Sequence, residues 1–256
     1  MRKFSVIVPT YHTPALAQVL IATFDRFRPS DVQNHFIIVE NSDDQSYRDL
    51  LVSMSENVTW VQNPDAPAFG SRSNSGSFAN GMAINIGLDY VDDDYVFIAH
   101  CDVCLTSGSF FTEMFGRRDE GHMVIGTSFD NTRINALHQS GFYVNTELLR
   151  SCDIMPVFEG GEMVQDVGDP LTAHCRENNL PISCYRNTFN DESLVAALPE
   201  PYRSFHVDRC LDSSGDVMFM HLGRGVSKTA GLYSKPNRVY FPQWCEFYNQ
   251  HLSGAQ

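Results

Sequence analysis

The residues that could do chemistry in this sequence include His100 and Asp102, which follow the apolar run 95–99 (YVFIA). On an extended chain, side chains two positions apart point to the same face. An imidazole and a carboxylate placed in this way could hold a divalent cation, or a cation and a ribose. In the alternative interpretation, Asp102 only caps a helix or turn over residues 106–115, and His100 is an ordinary polar residue.

The elements that position this pair are predicted from alternating patterns in the first hundred residues. Short apolar runs rich in β-branched residues predict buried strands at 4–9, 36–40, 58–62 and 95–99. Helical periodicity between these runs predicts helices at 14–27, 47–54 and 78–90. This alternation is typical of a parallel sheet with helices on both faces.

Ligands of such sheets bind at the carboxyl ends of the strands. The polar residues at those ends are therefore the first candidates for a site: Thr10, 40–43 and 100–102. A polar loop rich in Gly, Ser and Pro is predicted at 64–77.

The second half of the chain has a less regular pattern. Strands are predicted at 124–127, 142–145 and 217–221, and a helix at 169–178. Residues 186–215 are predicted to form a long loop, a candidate lid or acceptor-binding segment. Because the sequence shows neither an internal repeat nor a linker, we predict one domain over residues 1–256.

Four segments stand in an order that points to a known family. They are FSVIVPTYHTPALAQVLIATF from residue 4, FIIVENSDD from 36, NGMAINIGLDYV from 80 and YVFIAHCDV from 95. Over residues 4–105, their order and spacing closely resemble the nucleotide-binding half of family-2 glycosyltransferases with the GT-A fold. The resemblance implies an α/β domain with a Rossmann-like nucleotide-binding half and a mostly parallel, mixed central sheet flanked by helices.

The resemblance also implies an activity: transfer of a sugar from a nucleoside-diphosphate sugar to an acceptor hydroxyl, with inversion and with Mn²⁺ or Mg²⁺ as cofactor. Residues 1–105 would form the nucleotide-sugar-binding half and 106–221 the acceptor and catalytic half. Residues 222–256 would form a flexible basic C-terminal segment. Two alternatives stay open, a non-catalytic nucleotide-sugar-binding or scaffold protein and a glycosyltransferase that acts on modified nucleic acid.

Position by position, the resemblance implies roles in donor binding. Pro9, Thr10 and Tyr11 would line the base pocket, and Glu40 would read the nucleobase in place of the usual Asp. Asp43 or Asp44 would serve the later Asp of that motif. The remaining implied positions are Asn85 close to the nucleotide, His100 in place of the first Asp of an Asp-x-Asp motif, and Asp102 as the metal-binding Asp.

The second half supplies further implied roles. The segment from Gln165 to Leu171 resembles the part of the family that carries the catalytic base, with Asp166 as first choice and Asp169 as second. In the alternative interpretation, Asp169 is only a residue of a helix N-terminus, where the helix dipole favours it. His221, after the run 217–220, resembles a late metal-binding histidine. Arg224 or Lys228 would contact phosphate oxygens.

Composition restricts the partners. The formal net charge is −13 and the pI about 5.0, which argues against a strongly basic nucleic-acid binder. A local basic segment exists near the end, with Arg224, Lys228, Lys235 and Arg238. The acceptor is expected to be a saccharide or a lipid-linked saccharide, or less favourably modified DNA. Seven scattered cysteines and the lack of a long apolar run predict a soluble, cytoplasmic protein with free thiols.

Overall fold

The computed structural model describes residues 1–68, 75–231 and 239–254. Its first half alternates strands and helices as the sequence predicts. The elements are β1 (Arg2–Thr10), α1 (Pro14–Phe27), β2 (Val32–Glu40), α2 (Arg48–Val52), β3 (Val58–Gln62), α3 (Ser75–Leu88) and β4 (Tyr95–Ala99). The loop predicted at 64–77 includes residues 69–74, which lie outside the described residues, and its last residues belong to α3.

The second half consists of shorter elements. In chain order they are β5 (Val103–Leu105), α4 (Ser109–Asp119), β6 (Val124–Gly126), β7 (Phe129–Asp130), β8 (Ala136–Leu137), β9 (Gly141–Asn145), α5 (Thr146–Ser151), β10 (Val157–Glu159), β11 (Glu162–Gln165), α6 (Asp169–Glu177), β12 (Ile182–Cys184), a 3₁₀ helix (Glu192–Ala197), β13 (Asp208–Leu211), β14 (Val217–His221), α7 (Gly225–Thr229), α8 (Phe241–Phe247) and a π-helical turn (Tyr248–Leu252).

The central sheet has seven strands in the order β12-β6-β9-β4-β1-β2-β3. Strands β4, β1, β2 and β3 run parallel to one another, and β9 is antiparallel to both of its neighbours. This confirms the predicted mostly parallel, mixed sheet. The carboxyl ends of the four parallel strands therefore lie along one edge of the sheet, where ligands of such sheets bind.

The sheet separates two apolar cores because side chains alternate along each strand. In β1, Phe4, Val6 and Val8 pack in one core with α1, while Ile7 packs in the other core with α3. Helices thus cover both faces, as predicted. Helix α3 approaches β1 closely at Gly87, where an added Cβ would lie 2.7 Å from the Ile7 Cγ2.

One prediction for the second half is wrong. Residues 186–215, predicted as loop, contain the 3₁₀ helix and β13, which pairs with β14 in a small antiparallel sheet of order β13-β14-β5. Strand β13 (DRCL) begins and continues with charged residues, so its sequence lacks the apolar run by which its partner β14 (VMFMH) is recognised. Pairing with β14 stabilises this strand.

The end of the chain packs on the rest of the domain. Trp244 of α8 and Leu252 of the π-helical turn are buried in the core that contains α1. Lys235 and Arg238 of the predicted basic segment lie outside the described residues, and the flexibility of this segment stays a prediction. Among the described residues, no helix is long and apolar enough to span a bilayer. All seven cysteines are free thiols.

Candidate active site

Three of the predicted ligand residues meet at the end of β4. Ligand atoms of His100, Asp102 and His221 lie within 4.8 Å of one another. His221 Nε2 is 3.4 Å from Asp102 Oδ1 and 3.4 Å from His100 Nδ1, and His100 Nδ1 is 3.9 Å from Asp102 Oδ1. Two imidazole nitrogens and one carboxylate oxygen therefore face a common centre.

The small sheet brings His221 to this place. In its register His221 of β14 lies opposite Val103 of β5, the residue after Asp102. On the other side His221 lies opposite Asp208 of β13, and His221 Nδ1 is 3.3 Å from Asp208 Oδ2. A hydrogen bond from one ring nitrogen to a carboxylate fixes the tautomer and leaves the other nitrogen for a ligand, as is usual for metal-binding histidines.

Asp102 is fixed by the start of α7. Its Oδ2 accepts a hydrogen bond of 2.9 Å from the backbone N–H of Gly225, and its side chain is 4% exposed. A Cβ on Gly225 would lie 2.6 Å from the Asp102 Cβ, so this approach requires glycine. Helix α4 begins only at Ser109 and has no side-chain cap. The alternative interpretation of Asp102 as a cap for residues 106–115 is therefore wrong.

The charges of this cluster are strongly coupled. Burial lowers the pKa of His100 to about 4. Burial also opposes a charge on His221, but the carboxylates of Asp102 and Asp208 outweigh it and raise the pKa of His221 to about 10. Although burial opposes ionisation of Asp102 as well, His221 and His100 hold the pKa of Asp102 well below its usual range. A positive charge is thus favoured at the centre.

A third imidazole ring, that of His138, adjoins the cluster. Its centroid is 5.6 Å from that of His100 and 5.7 Å from that of His221. Its Nδ1 accepts a hydrogen bond of 3.1 Å from the backbone N–H of Ser140, which places any proton of the neutral ring on Nε2. Burial lowers the pKa of His138 to about 3, so the ring is neutral at physiological pH.

A cleft of about 380 Å³ lies at the ends of β1, β2 and β3. Its lining includes Tyr11, Asn41, Asp43, Gln62 and Asn63. Two of the predicted donor-binding residues, Tyr11 and Asp43, are therefore in the cleft. Asp44 instead lies 3.3 Å from His12 Nδ1.

Pro9, Thr10 and Glu40, which were predicted beside Tyr11, are buried at the strand ends. The two carboxylate oxygens of Glu40 accept four hydrogen bonds, from the hydroxyls of Thr10 and Tyr47 and from the backbone N–H groups of His12 and Ser42. Glu40 is fully buried. These contacts fit a residue that holds the loops around the cleft.

Asp166 and Asp169 belong to a second polar cluster, organised by Arg133. Arg133 Nε donates to Asp169 Oδ2 over 2.7 Å, and its Nη2 lies 3.0 Å from Asp130 Oδ2 and 3.9 Å from Asp166 Oδ2. Asp169 is 4% exposed, whereas Asp166 is 24% exposed. Burial raises the pKa of Asp169, against the effect of Arg133. Asp169 is thus held in an ion pair, and Asp166 is the more accessible carboxylate.

The two clusters adjoin through the β7–β8 hairpin. This hairpin carries Asp130 and Arg133, and His138 follows directly after it. The backbone N–H of His138 donates to the Ser128 carbonyl over 2.9 Å, next to the strand β7 that carries Asp130. The hairpin therefore connects the imidazole cluster with the carboxylate pair of Asp166 and Asp169.

The remaining predicted residues make none of these contacts. Asn85 is exposed on α3, whose other side packs on β1 and β2. Arg224 is exposed and adopts φ 59° directly before Gly225. Lys228 is buried, and its Nζ donates to the Leu222 carbonyl over 2.9 Å. Of the two predicted phosphate ligands, only Arg224 presents an exposed side chain beside the imidazole cluster.

Sequence reasoning missed several residues of the site: Arg133, His138, Asp208 and Gly225. Arg133 lies in a hairpin of two-residue strands, which is too short for a periodic signal. Asp208 begins the missed strand β13. For Gly225, the sequence Gly-Arg-Gly after a strand that ends in histidine was the available signal.

The architecture defines the class. The seven-stranded mixed sheet with flanking helices is the GT-A type of glycosyltransferase fold, as the sequence predicts. No protein-family model matches the chain, and no curated protein sequence matches it. The solved structures that are similar to the chain share its fold at low sequence identity.

Particular solved structures show this likeness. The mannosyltransferase PcManGT from Pyrobaculum calidifontis, in complex with GDP-Man and Mn²⁺, is similar with a TM-score of 0.51 and 15% identity over 72% of this chain. S. aureus TarS 1-349 has 19% identity and glucosyl-3-phosphoglycerate synthase from Mycobacterium tuberculosis 15%, each with a TM-score of 0.49 over 72% of this chain. The chain spans 54%, 58% and 69% of these three proteins, respectively.

Proposed function

We propose that this protein is a metal-dependent glycosyltransferase that moves a sugar from a nucleoside-diphosphate sugar to an acceptor hydroxyl. One observation carries the proposal: His100, Asp102 and His221 direct three ligand atoms at one centre, at the strand-end edge of a GT-A sheet. The cleft at the ends of β1, β2 and β3 opens along the same edge. A nucleoside in the cleft would extend its diphosphate along this edge towards the centre.

The donor set fits a divalent cation. Imidazole nitrogens and one carboxylate oxygen suit Mn²⁺ better than Mg²⁺, which prefers oxygen ligands. The hydrogen bond between His221 and Asp208 supplies the outer contact that orients such a ligand. When bound, the cation would supply Lewis-acid stabilisation of the charge that develops on the departing diphosphate. PcManGT was solved with GDP-Man and Mn²⁺, which supports the same pairing here.

The chemical step requires a base, and Asp166 is the better choice. As the acceptor oxygen forms its bond to the anomeric carbon, its proton passes to the Asp166 carboxylate. The bond from the anomeric carbon to the β-phosphate oxygen breaks, and its electron pair leaves with the nucleoside diphosphate. This single displacement inverts the anomeric configuration. Arg133 pairs with Asp169, which is only 4% exposed and accepts a hydrogen bond of 2.8 Å from the Asp166 backbone N–H.

Two other residues complete the proposal. Arg224, exposed beside Gly225, would contact the phosphates, and the neutral His138 would donate from Nε2 to an oxygen of the substrate. The acceptor we propose is a saccharide or lipid-linked saccharide, because the net charge of −13 opposes binding of a nucleic-acid backbone. We place the protein in the cytoplasm, where free thiols persist.

The first experiment measures thermal unfolding with a panel of nucleoside diphosphates, with and without Mn²⁺. A ligand at a hundred times its Kd adds about 2.7 kcal/mol to the stability of the native state. We expect a nucleotide to raise Tm only when Mn²⁺ is present, and Asp102→Asn to abolish the rise. Asp119→Asn, which changes an exposed carboxylate at the end of α4, is the matched control. Its Tm should rise with nucleotide and Mn²⁺ as much as that of the wild type.

Turnover is measured next, as release of nucleoside diphosphate from the sugar nucleotide that binds. Metal-dependent release by the wild-type protein supports a transferase. Metal-dependent binding without any release, even with a panel of saccharide acceptors, would instead support a non-catalytic nucleotide-sugar-binding protein. If no nucleotide changes Tm under any condition, the proposal is wrong.

A further inference from the structure

Phe189 is an aromatic residue that adjoins the imidazole cluster and is nevertheless largely uncovered. It is 47% exposed, and its ring centroid lies 6.4 Å from that of His138. A single exposed apolar side chain is common on protein surfaces and does not mark a site by itself. The position of this ring beside the candidate centre, and the way its backbone is held, carry the inference.

The backbone around Phe189 is fixed by two buried neighbours. Asn187 Oδ1 accepts a hydrogen bond of 2.7 Å from the Phe189 backbone N–H, and Asn187 Nδ2 donates over 2.8 Å to the Thr127 carbonyl at the end of β6. The backbone N–H of Thr188 donates over 3.0 Å to the carbonyl of Arg209 in β13. The segment is thus tied to two strands, which hold the exposed ring in a defined position.

The segment 187–191 and the cleft lie along the same edge of the sheet, in different halves. Because β9 is antiparallel to both β4 and β6, and β12 is parallel to β6, the carboxyl ends of β4, β6 and β12 meet at one edge. The cleft occupies the ends of β1, β2 and β3, and the imidazole cluster follows β4. A donor in the cleft, with its diphosphate at the centre, therefore leaves the ends of β6 and β12 for the second substrate.

His138 supplies a hydrogen-bond donor beside the phenyl ring. Its Nδ1 accepts from the Ser140 backbone N–H, so the neutral ring carries its proton on Nε2, and this N–H has no acceptor within the described residues. The face of a phenyl ring is the negative part of its quadrupole and attracts weakly positive C–H groups, such as those on the face of a pyranose. The pair thus fits a sugar ring that stacks on Phe189 and places a hydroxyl on His138.

The charges nearby oppose an anionic ligand. In the arginine cluster three carboxylates share the one guanidinium of Arg133, so the cluster carries an excess of negative charge. Asp191, two residues after Phe189, is also exposed. Because like charges repel, an acceptor that carries a phosphate or a carboxylate is disfavoured on this side of the centre.

We infer that Phe189 is the platform on which the acceptor stacks, and that the acceptor is a neutral pyranoside. This inference rests on the proposed function, whose acceptor it specifies. Loss of the flat ring should weaken acceptor binding about tenfold, which corresponds to about 1.4 kcal/mol. Binding of the nucleotide, in the other half of the edge, should not depend on Phe189.

The first test measures release of nucleoside diphosphate from the sugar nucleotide that binds, in the presence of Mn²⁺ and an added methyl glycoside. The neutral probes are the methyl glycosides of glucose, galactose, mannose and N-acetylglucosamine, and the anionic probes are those of glucuronic and galacturonic acid. We expect at least one neutral probe to accelerate release by the wild-type protein and the anionic probes to accelerate it less. If no neutral probe accelerates release, or if an anionic probe is preferred, the inference is overturned.

Phe189→Leu keeps an apolar side chain but removes the flat ring. We expect the KM for the preferred methyl glycoside to rise about tenfold, while the Kd of the nucleoside diphosphate with Mn²⁺ equals that of the wild type. Phe189→Tyr, which keeps the ring, should restore most of the affinity. Tyr90→Leu is the matched control, because Tyr90 is an exposed aromatic residue before the amino end of β4, at the opposite edge of the sheet. Thermal unfolding of all three variants verifies the fold.

Phe189→Trp tests the same contact without turnover, because it places a fluorescent ring at this position. With nucleoside diphosphate and Mn²⁺ present, the preferred methyl glycoside should shift its emission to shorter wavelength, since the sugar covers the ring. Trp60 and Trp244, the two native tryptophans, provide a constant background. Tyr90→Trp should show no shift when the glycoside is added. Equal shifts in the two variants, or none in Phe189→Trp, would contradict stacking on this ring.

The outcomes separate the two proposals. If no nucleotide binds and no nucleoside diphosphate is released, the proposed function fails. If neutral glycosides accelerate release and Phe189→Leu keeps the wild-type KM for them, the proposed function stands and the inference about Phe189 is overturned. If only anionic glycosides accelerate release, the protein is a transferase and the inferred class of acceptor is wrong.

Discussion

The imidazole cluster around Asp102 and the arginine cluster around Asp169 each contain a carboxylate that is only 4% exposed. Their surroundings differ. Asp102 faces two imidazole rings and a backbone N–H, so its Oδ1 shares a centre with two ring nitrogens. Asp169 is paired over 2.7 Å with a guanidinium, whose positive charge is permanent.

This difference is the basis on which we propose a binding role for Asp102 and a structural role for Asp169. Imidazoles can give up their protons to a cation, so the first cluster can exchange a proton for a metal ion. A guanidinium does not lose its charge, so the second cluster holds Asp169 in place and leaves Asp166 accessible beside it. Burial alone does not distinguish the two roles, since both carboxylates are equally shielded.

The largest effect is expected from Asp166→Asn. General-base assistance contributes about 10²–10⁴-fold, and we expect kcat to fall by that factor while the Kd for nucleotide with Mn²⁺ stays the same. Single-turnover kinetics and titration calorimetry measure the two quantities. Asp153→Asn is the control, because Asp153 is an exposed carboxylate in the loop before β10. Equal losses in kcat and in nucleotide binding would show that Asp166 belongs to the binding site.

Arg133→Met tests the structural role of the arginine cluster. It leaves Asp169 buried without a counter-charge, and we expect a loss of about 3 kcal/mol in the free energy of unfolding at neutral pH. The pKa of Asp169 is already raised by burial, and loss of Arg133 raises it further. A carboxyl with a raised folded-state pKa destabilises the protein while it is ionised. The loss should therefore shrink as the pH falls through that pKa.

Urea unfolding of this variant at neutral and at mildly acid pH provides the measurement. Arg203→Met is the control, since Arg203 pairs with Glu200 and both side chains are about half exposed. Exposed ion pairs contribute about 0–1 kcal/mol. A deficit for Arg133→Met that does not depend on pH would contradict the ion-pair explanation.

Asp208→Asn tests the outer contact of the imidazole cluster. Loss of such a contact typically weakens metal affinity by 10- to 100-fold, roughly, because the ligating ring is no longer oriented. We expect this loss for Mn²⁺, measured by calorimetry on the nucleotide-free protein. Asp216→Asn, an exposed carboxylate in the turn between β13 and β14, should bind Mn²⁺ as the wild type does. If Asp208→Asn binds Mn²⁺ as tightly as the wild type, Asp208 does not orient the His221 ring for metal binding.

The smallest effect is expected from Gly225→Ala. The added Cβ would lie 2.8 Å from Asp102 Oδ2, so the carboxylate must shift, and we expect Mn²⁺ affinity to fall about tenfold with a loss of about 1–3 kcal/mol in stability. Gly116→Ala on α4 is the matched control, since its Cβ would meet no heavy atom within 4 Å. That variant should gain about 0.5–1 kcal/mol, because alanine favours a helix. If the two variants have the same stability and the same Mn²⁺ affinity, the close approach of Gly225 to Asp102 is refuted.

The first half of the fold was predictable because its information is local. Alternation of apolar residues within single strands decided which face of the sheet each residue joins, and the strand 58–62 was predicted with the bounds that β3 has. The closeness of the His100 and Asp102 side chains was predictable from their spacing of two positions alone. The GT-A fold followed from the order of these segments, although 15% identity to PcManGT leaves little trace in sequence.

The second half was less predictable because its contacts join distant parts of the chain. His221 is brought to Asp102 by the antiparallel register of β14 with β5, and the two residues are 119 positions apart in the sequence, a distance over which periodicity gives no signal. Asp166 and Asp169 were recognised as candidates, but their different roles depend on Arg133, which a short hairpin supplies. Asn85 was expected near the nucleotide, and it is exposed on α3.

The sequence by itself determined the alternating βα units, the strand ends and the candidate pair at the end of β4, because hydrophobic periodicity and spacing act within a few residues. Tertiary structure alone decided which carboxylate faces imidazoles and which faces a guanidinium. It also decided that the carboxylate of Glu40 accepts four hydrogen bonds at the strand ends. The physical reason is that hydrogen-bond partners and counter-charges are chosen by three-dimensional proximity, which the register of distant strands creates.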